Sequence, residues 1–564
     1  MVDYTVNDFE INKLGSFYED SKTIFRVFAP ESNRMSLVIN EHFYEMHKVG
    51  YCFEIALAGN LENIKYYYQN DNNVSFRDPF AYYSDDKYSY VLDTSKFNNE
   101  KIVPEKNKNT IIYEVNVRDF SSDESFPFDS KRKIEALAET NLKINNKPIG
   151  LDYIKRLGVS YIQLMPILDF DNDGTDYNWG YNPTAYNYIN KDYINCKLNP
   201  YAFVNELRTT VNSIHNHGLR VTLDVVFNHI YQYCKFDLDC MIPGHAFRLK
   251  EDGSLANGTY CGNEIKTEDP FVREYLCFMA QRYIELFDID GIRLDLMGIM
   301  DYETVNQMYE GCKKIKDDFI LYGEGWNMGD VLDEEDRATI LNADKLPNIH
   351  MFNDSFRELM ISYISGNDSI RDEIKLAVAG ASNPLEFKNS INYVECHDNY
   401  TFFDRMNKFK KEDDEWCNVR RCKLALALVI LSRGIPFIHA GQEFLRTKNF
   451  IENSYNSDEE INKLDWNLRI ENNDVCEYTR SLISIRNDYA DTFNGDNTNI
   501  SFEDYYDCLV YRLNDLMIII NPCKWDHIYN DGKEYEILLD LDGKSGHKSD
   551  VLSIPAYSAL IAKK

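Results

Sequence analysis

Positive charge is scarce in this sequence. Its 61 Lys and Arg face 92 Asp and Glu, a net charge of −31 over 564 residues. A surface of that sign repels polyanions, which argues against nucleic acid and against anionic membrane surfaces as partners. Long apolar runs are lacking too. The longest, Leu424 to Leu431, has 8 residues, far short of the roughly 20 that a membrane-crossing helix needs. The start, Met1-Val2-Asp3-Tyr4, runs into a polar acidic stretch with no apolar leader. Cysteine is present, 13 residues in all, but with no CxxC or zinc-type spacing, so reduced thiols are expected. Internal repeats and low-complexity tracts are also missing. These absences describe a soluble, cytoplasmic protein with no nucleic acid and no membrane as partner, and a monomer is expected. Aromatic residues are abundant, with 40 Tyr and 32 Phe, which suits sugar stacking without demonstrating it.

The chain is long enough for several domains. Residues 1–105 carry short alternating stretches, among them Thr23 to Phe28, Met35 to Ile39, Cys52 to Leu57 and Ile64 to Tyr68. With Asn/Asp/Gly clusters between them, they predict an N-terminal β-sandwich. The Lys/Asn-rich stretch Asn98 to Asn109 makes a natural linker. Across residues 106–489 the texture changes to apolar runs alternating with helical segments. Strands are expected at Ile111 to Val115, Val159 to Met165, Arg220 to Phe227, Gly291 to Leu296 and Asp318 to Glu324. Three more follow near Ile349 to Phe352, Ile391 to Glu395 and Ile435 to Ile438. Eight such strands suffice for an α/β fold of the (β/α)₈ TIM-barrel type. Over residues 490–564 short strands return, at Cys508 to Arg512, Leu516 to Ile520, Tyr535 to Leu539 and Ala559 to Ala562. A C-terminal β-sandwich is expected there.

Two acids stand out, because each closes a buried apolar run: Asp295 after Gly291-Ile292-Arg293-Leu294, and Glu324 after Ile320-Leu321-Tyr322-Gly323. A carboxyl in such a place is costly unless paired or used, and the carboxyl rim of a parallel barrel is where catalytic side chains gather. The pair alone reads equally well as two helix caps or as the working couple of a glycosidase. Companions at other strand ends tip the balance: Asp224-Val225-Val226-Phe227-Asn228-His229, Arg293 beside Asp295, and Glu395-Cys396-His397-Asp398-Asn399. Packing does not account for four polar strand ends in that order.

In order and wording these four segments resemble those of the α-amylase superfamily, glycoside hydrolase family 13, and the resemblance runs over nearly the whole chain. It implies Asp295 as nucleophile, Glu324 as general acid/base and Asp398 as a third acid holding the sugar. Arg293 would keep Asp295 ionised and oriented, His229 and His397 would bond sugar hydroxyls, and Asp224 would organise the group. The string Tyr177-Asn178-Trp179-Gly180-Tyr181-Asn182-Pro183 matches the type I pullulanase signature and implies action on α-1,6 branch linkages. Tyr181 is the candidate stacking platform, with Trp179 and Trp326 shaping adjoining subsites. The N-terminal part resembles the family 48 carbohydrate-binding module through Phe25-Arg26-Val27-Phe28-Ala29-Pro30 and Asp78-Pro79. The implied partner is an α-glucan, with no cofactor required. A structural Ca²⁺ near Asn228 stays open, though hard-cation sites need six or more oxygens.

The sequence departs from the family pattern in three places. Asn116 stands where relatives often carry His, and Pro243-Gly244-His245-Ala246-Phe247-Arg248 replaces a more aromatic run. Gly258-Thr259-Tyr260-Cys261-Gly262-Asn263 varies a Gly-Ser-Gly-Cys-Gly-Asn-like run. The latter two stretches raise a question about outer subsites. Two alternatives remain at this level: an isoamylase-like or mixed α-1,4/α-1,6 amylase, and an inactive glucan-binding barrel.

Overall fold

A computed structural model describes residues 2–329, 331–382, 384–411 and 413–564. Its centre is a closed barrel of eight strands, each paired to the next in chain order and the last to the first. They are β1 (Ile112–Val115), β2 (Tyr161–Leu164), β3 (Arg220–Val225), β4 (Gly291–Leu294), β5 (Ile320–Gly323), β6 (His350–Phe352), β7 (Ser390–Asn392) and β8 (Ile435–His439). All eight pairings are parallel. Every residue of β3 and β4 is buried, as expected where helices cover one face of a strand and the barrel core fills the other. Those helices include Ala202–Asn216, Pro270–Phe287, Tyr302–Ile315 and Glu415–Leu431.

Before the barrel lie two antiparallel sheets. One holds Gly15–Glu19, Lys22–Phe28, Cys52–Ala58 and His47–Val49; the other is built on Met35–Ile39 and Lys65–Asn70. They meet the barrel through an aromatic seam in which Phe28 stacks on Phe271 at 4.5 Å. An Arg77–Asp237 ion pair at 2.8 Å adds to that junction.

After the barrel comes a six-stranded antiparallel sheet, in the order Ile500–Tyr505, Cys508–Leu513, Leu516–Asn521, Ser558–Lys563, Tyr535–Leu539, His547–Ser549. One face, with Leu509, Tyr511 and Ile518, joins the barrel core. The other, with Val510, Met517 and Ile519, packs on a two-stranded sheet of His527–Tyr529 and Leu552–Ile554. The expected sandwich is therefore lopsided, because the barrel itself covers most of one face.

Strand register positions the site. Asp224 lies opposite Arg293, and Leu294 opposite Gly323. The residues that follow that last pair, Asp295 and Glu324, emerge side by side at the same level of the rim. Their backbone N–H groups continue the ladder, Asp295 to Val225 O at 3.1 Å and Glu324 to Leu294 O at 3.2 Å. Neither acid caps the next helix. After β4 that duty falls to Asp301, whose carboxylate accepts from Thr304 N at 2.9 Å.

Candidate active site

One guanidinium organises the rim. Arg293 Nη1 donates to Asp224 Oδ1 and to Asp295 Oδ1, both at 2.9 Å, and Nη2 lies 2.6 Å from Glu324 Oε1. Three acids from three successive strand ends thus converge on one buried cation. Burial pushes the Asp224 carboxyl up to about 6, against the pull of Arg293 and with the charge of Asp295 adding. Burial likewise lifts Glu324 to about 8; Arg293 opposes this, while Asp295 and Asp398 add to it. Asp224 and Glu324 thus differ in proton affinity while sharing one guanidinium.

Asp295 is further fixed by Asn228, whose Nδ2 donates to its Oδ2 at 2.9 Å and to its backbone O at 2.8 Å. The next residue, Leu296, takes a left-handed conformation with φ of 38°. That turns its N–H onto Glu324 Oε2 at 2.9 Å. Close approach of the β5 segment requires glycine at 298, where an added Cβ would fall 1.9 Å from Trp326 O. Trp326 itself is half-buried beside this contact.

Across the mouth, His397 and Asp398 follow β7. Glu114, in β1, takes the backbone N–H of His397 on Oε2 at 2.9 Å and its Nδ1 on Oε1 at 2.7 Å. Burial alone favours a neutral ring, but Glu114 and Asp398 outweigh it and raise His397 to about 9. Its Nε2 faces Asp398 Oδ2 at 3.5 Å, and the Asp398 side chain is 45% exposed, open to an incoming ligand. His229 has Nδ1 2.7 Å from Asn228 Oδ1 and Nε2 3.2 Å from Tyr181 O. Burial lowers its proton affinity.

The loop after β2 carries its three aromatics into fixed places. Tyr177 OH donates to Asp119 Oδ1 at 2.6 Å. Trp179 is buried edge-on to His397 at 5.1 Å, beneath the Lys448 ammonium at 4.7 Å. Tyr181 stacks on the His397 ring, 5.0 Å between centroids and 19° between planes, and its hydroxyl donates to Asp224 Oδ2 at 2.7 Å. The loop therefore lies on the same three-acid cluster as β4 and β5. Trp179 supports the floor beneath His397, whereas Tyr181 forms part of the wall.

All ten residues singled out in the sequence fall around this mouth, but several of their partners escaped that reading. Glu114 lies inside an apolar strand, and its partner His397 is far along the chain. Lys448 donates to His397 O at 2.7 Å from a buried position. Glu395 lies behind the site, where it accepts from Phe402 N at 2.6 Å and meets His439 Nδ1 at 2.8 Å. The departures also find places. Asn116 caps the helix Val117–Ser121, accepting from Arg118 N at 2.9 Å. His245 turns away from the mouth, to Asp269 at 3.2 Å and the Tyr4 ring at 4.8 Å. Gly262, in contrast, lies directly against the site, since a Cβ there would come within 2.6 Å of the His229 ring. At Asn228 both ends of the amide are engaged, Nδ2 with Asp295 and Oδ1 with His229.

Comparison with known proteins follows the same outline. The family model "Alpha amylase, catalytic domain" matches residues 149–238 and 259–476. Pullulanase of Bacillus subtilis (strain 168) is 33% identical over 514 residues, spanning 84% of this chain and 71% of that protein. A pullulanase from Anoxybacillus sp. LM18-11, solved with maltotetraose, superposes with a TM-score of 0.92 at 30% identity, covering 99% of this chain and 88% of that one. The type I pullulanase of Bacillus subtilis str. 168, solved with maltose, gives a TM-score of 0.92 at 30% identity, with 99% and 86% covered.

Proposed function

We propose, because the chain belongs to the α-amylase family and within it groups with the pullulanases, that it hydrolyses α-1,6 branch linkages in pullulan, limit dextrins or glycogen-type α-glucans. The observation that carries this reading is the convergence of Asp224, Asp295 and Glu324 on Arg293, with Tyr181 of the signature loop bonded to the same cluster. In this reading Asp295 attacks the anomeric carbon while Glu324 gives its proton to the departing O6 of the branch. Glu324, then ionised, takes a proton from water, whose oxygen displaces Asp295 and restores both acids. A separation of about 5 Å between the two carboxyls suits such a double displacement with retention.

The remaining residues hold the reacting sugar. Asp398, the His397 imidazolium and His229 bond its hydroxyls, and the charge-assisted bonds strengthen as the ring flattens toward an oxocarbenium ion. Arg293 holds Asp295 in place through the bond from Nη1 to Oδ1. Tyr181 offers its ring to the sugar before the cut, where an α-1,6 linkage, with one more rotatable bond than α-1,4, needs a surface to fix its swing. Trp326 borders the neighbouring subsite. No step calls for a metal. No helix among the described residues is long and apolar enough to cross a membrane, and the 13 free cysteines favour a reducing compartment, the cytoplasm. We take the working unit to be a monomer.

Digestion of pullulan with products separated by size tests the reading. Maltotriose alone is the expected product. Panose or isopanose would instead indicate α-1,4 cleavage and a mixed amylase, and binding without turnover would indicate an inactive glucan-binding barrel.

A further inference from the structure

Far along the chain, outside the barrel mouth, three side chains of the C-terminal sheet converge on one point. Asp507 lies in the tight turn between Ile500–Tyr505 and Cys508–Leu513, Cys523 follows Leu516–Asn521, and His527 opens His527–Tyr529. Cys523 Sγ is 3.4 Å from His527 Nε2 and 3.9 Å from Asp507 Oδ2, and that same Nε2 is 3.5 Å from Asp507 Oδ2. A hydrogen-bonded relay is a poor account of this triangle. A relay through imidazole uses both ring nitrogens, one for each neighbour, whereas here thiol and carboxylate face the same nitrogen. A single N–H serves only one of them, while the thiol's own proton reaches Asn521 Oδ1 at 3.0 Å.

A cation at the centre resolves the geometry. Tetrahedral zinc, with about 2.3 Å to sulfur and about 2.0–2.2 Å to nitrogen or oxygen, keeps its donors about 3.4–3.6 Å apart, close to the triangle observed. The mixture of thiolate, imidazole and carboxylate suits a borderline-soft transition metal better than Ca²⁺ or Mg²⁺. The frame holding the donors is built. Asn521 is fully buried; its Oδ1 accepts from Cys523 N at 3.1 Å and lies 3.0 Å from Sγ, and its Nδ2 donates to Trp525 O at 2.8 Å. Trp525 O is also 3.6 Å from Sγ. The Tyr506 ring stacks over His527 at 6.2 Å and 16°. Asp507 is exposed and the other two are half-buried, so an ion has a path in.

We propose that Cys523 Sγ, His527 Nε2 and Asp507 Oδ2 bind one divalent transition-metal ion of the Zn²⁺ type, with water in the fourth position. The ion ties the Tyr506-Asp507 turn to the loop from Asn521 to His527. Because Arg371 Nη1 donates to Tyr506 O at 2.9 Å, the clip also braces the seam between this sheet and the barrel. Its role is stability, not chemistry, since it binds the folded state preferentially.

The test uses the full chain, reduced and stripped with a chelator, then titrated with ZnCl₂ by calorimetry and with Co²⁺ by absorption. One equivalent of Zn²⁺ is expected, with a thiolate-to-cobalt band, and Tm rises on adding Zn²⁺. Cys523→Ser and His527→Ala should lose the equivalent, the band and the rise in Tm while still hydrolysing pullulan at the parent rate. Asp507→Asn should weaken binding by at least the roughly 10-fold that loss of even an outer partner of a metal ligand costs. Absence of a tight equivalent, or an unchanged cobalt band in Cys523→Ser, overturns the site.

Discussion

Glu114 grips His397 twice, through the backbone N–H on Oε2 at 2.9 Å and through ring Nδ1 on Oε1 at 2.7 Å. One acid from β1 thereby sets both the position and the charge of a side chain that follows β7. Replacing it by Gln keeps a similar shape but removes the counter-charge. A charge-assisted hydrogen bond contributes about 1.5–3 kcal/mol, so Glu114→Gln should lower kcat/KM on pullulan by roughly 10- to 100-fold. His397, raised to about 9 in the parent, stays protonated below that value and loses its proton as pH rises through it. The variant's alkaline limb should move to lower pH, and a full pH–rate profile checks this. A uniform drop at every pH would argue for a packing role alone.

The proton affinity of Glu324 has consequences for rate and for stability. Burial raises it to about 8, so the acid form persists at neutral pH and is lost above about 8, where activity should fall. For stability, the unfolded carboxyl ionises near its ordinary value while the folded one does not. The unfolded state therefore gains progressively between those two values, and folding stability falls over that window as pH rises. Glu324→Gln, which cannot ionise, should be inactive on pullulan yet gain more Tm over the parent at pH 8 than at pH 4.5. Thermal melts at the two values decide it.

Asp295 holds the nucleophile's place in the proposed reaction. Asp295→Asn should lose at least about 10⁴-fold in turnover, in the range seen when an enzyme's nucleophile is removed. Its binding of maltooligosaccharide should be retained in calorimetry. Residual activity near the parent level would mean that another group attacks.

Two substitutions at Tyr181 separate its two contacts. Tyr181→Phe removes the bond to Asp224, worth about 1 kcal/mol, and should cost about 5-fold in kcat with little change in KM. Tyr181→Ala also removes the ring from the stack on His397 and should raise KM for pullulan substantially. Steady-state kinetics of both variants on pullulan give the comparison.

Much of this site was legible from strand ends. Asp295 and Glu324 each close an apolar run, and an acid there is conspicuous because burial penalises it. The barrel could be read for the same reason, since strands buried on both faces leave unbroken apolar words. Glu114 was not legible. It interrupts Tyr113 and Val115 as a single buried acid, and only the closed barrel brings it to a histidine nearly three hundred residues away. The contacts of Lys448 and Asn228 were hidden in the same way, since their partners are backbone oxygens or side chains on other strand ends. Asn116 looked like a departure from a functional pattern, yet locally it caps a short helix. Its meaning lay in φ and ψ, which composition does not reveal.

With Glu324 holding its proton at neutral pH, Asp224 and Asp295 still outnumber the single guanidinium they share. Electrostatically such a site is a trap for small cations. Protonated amines, whether a buffer ion or a sugar with nitrogen in its ring, meet an attraction there that neutral glucose does not, and phosphorylated glucans meet repulsion. The charge of a ligand should therefore matter at this site as well as its linkage, and the choice of buffer with it.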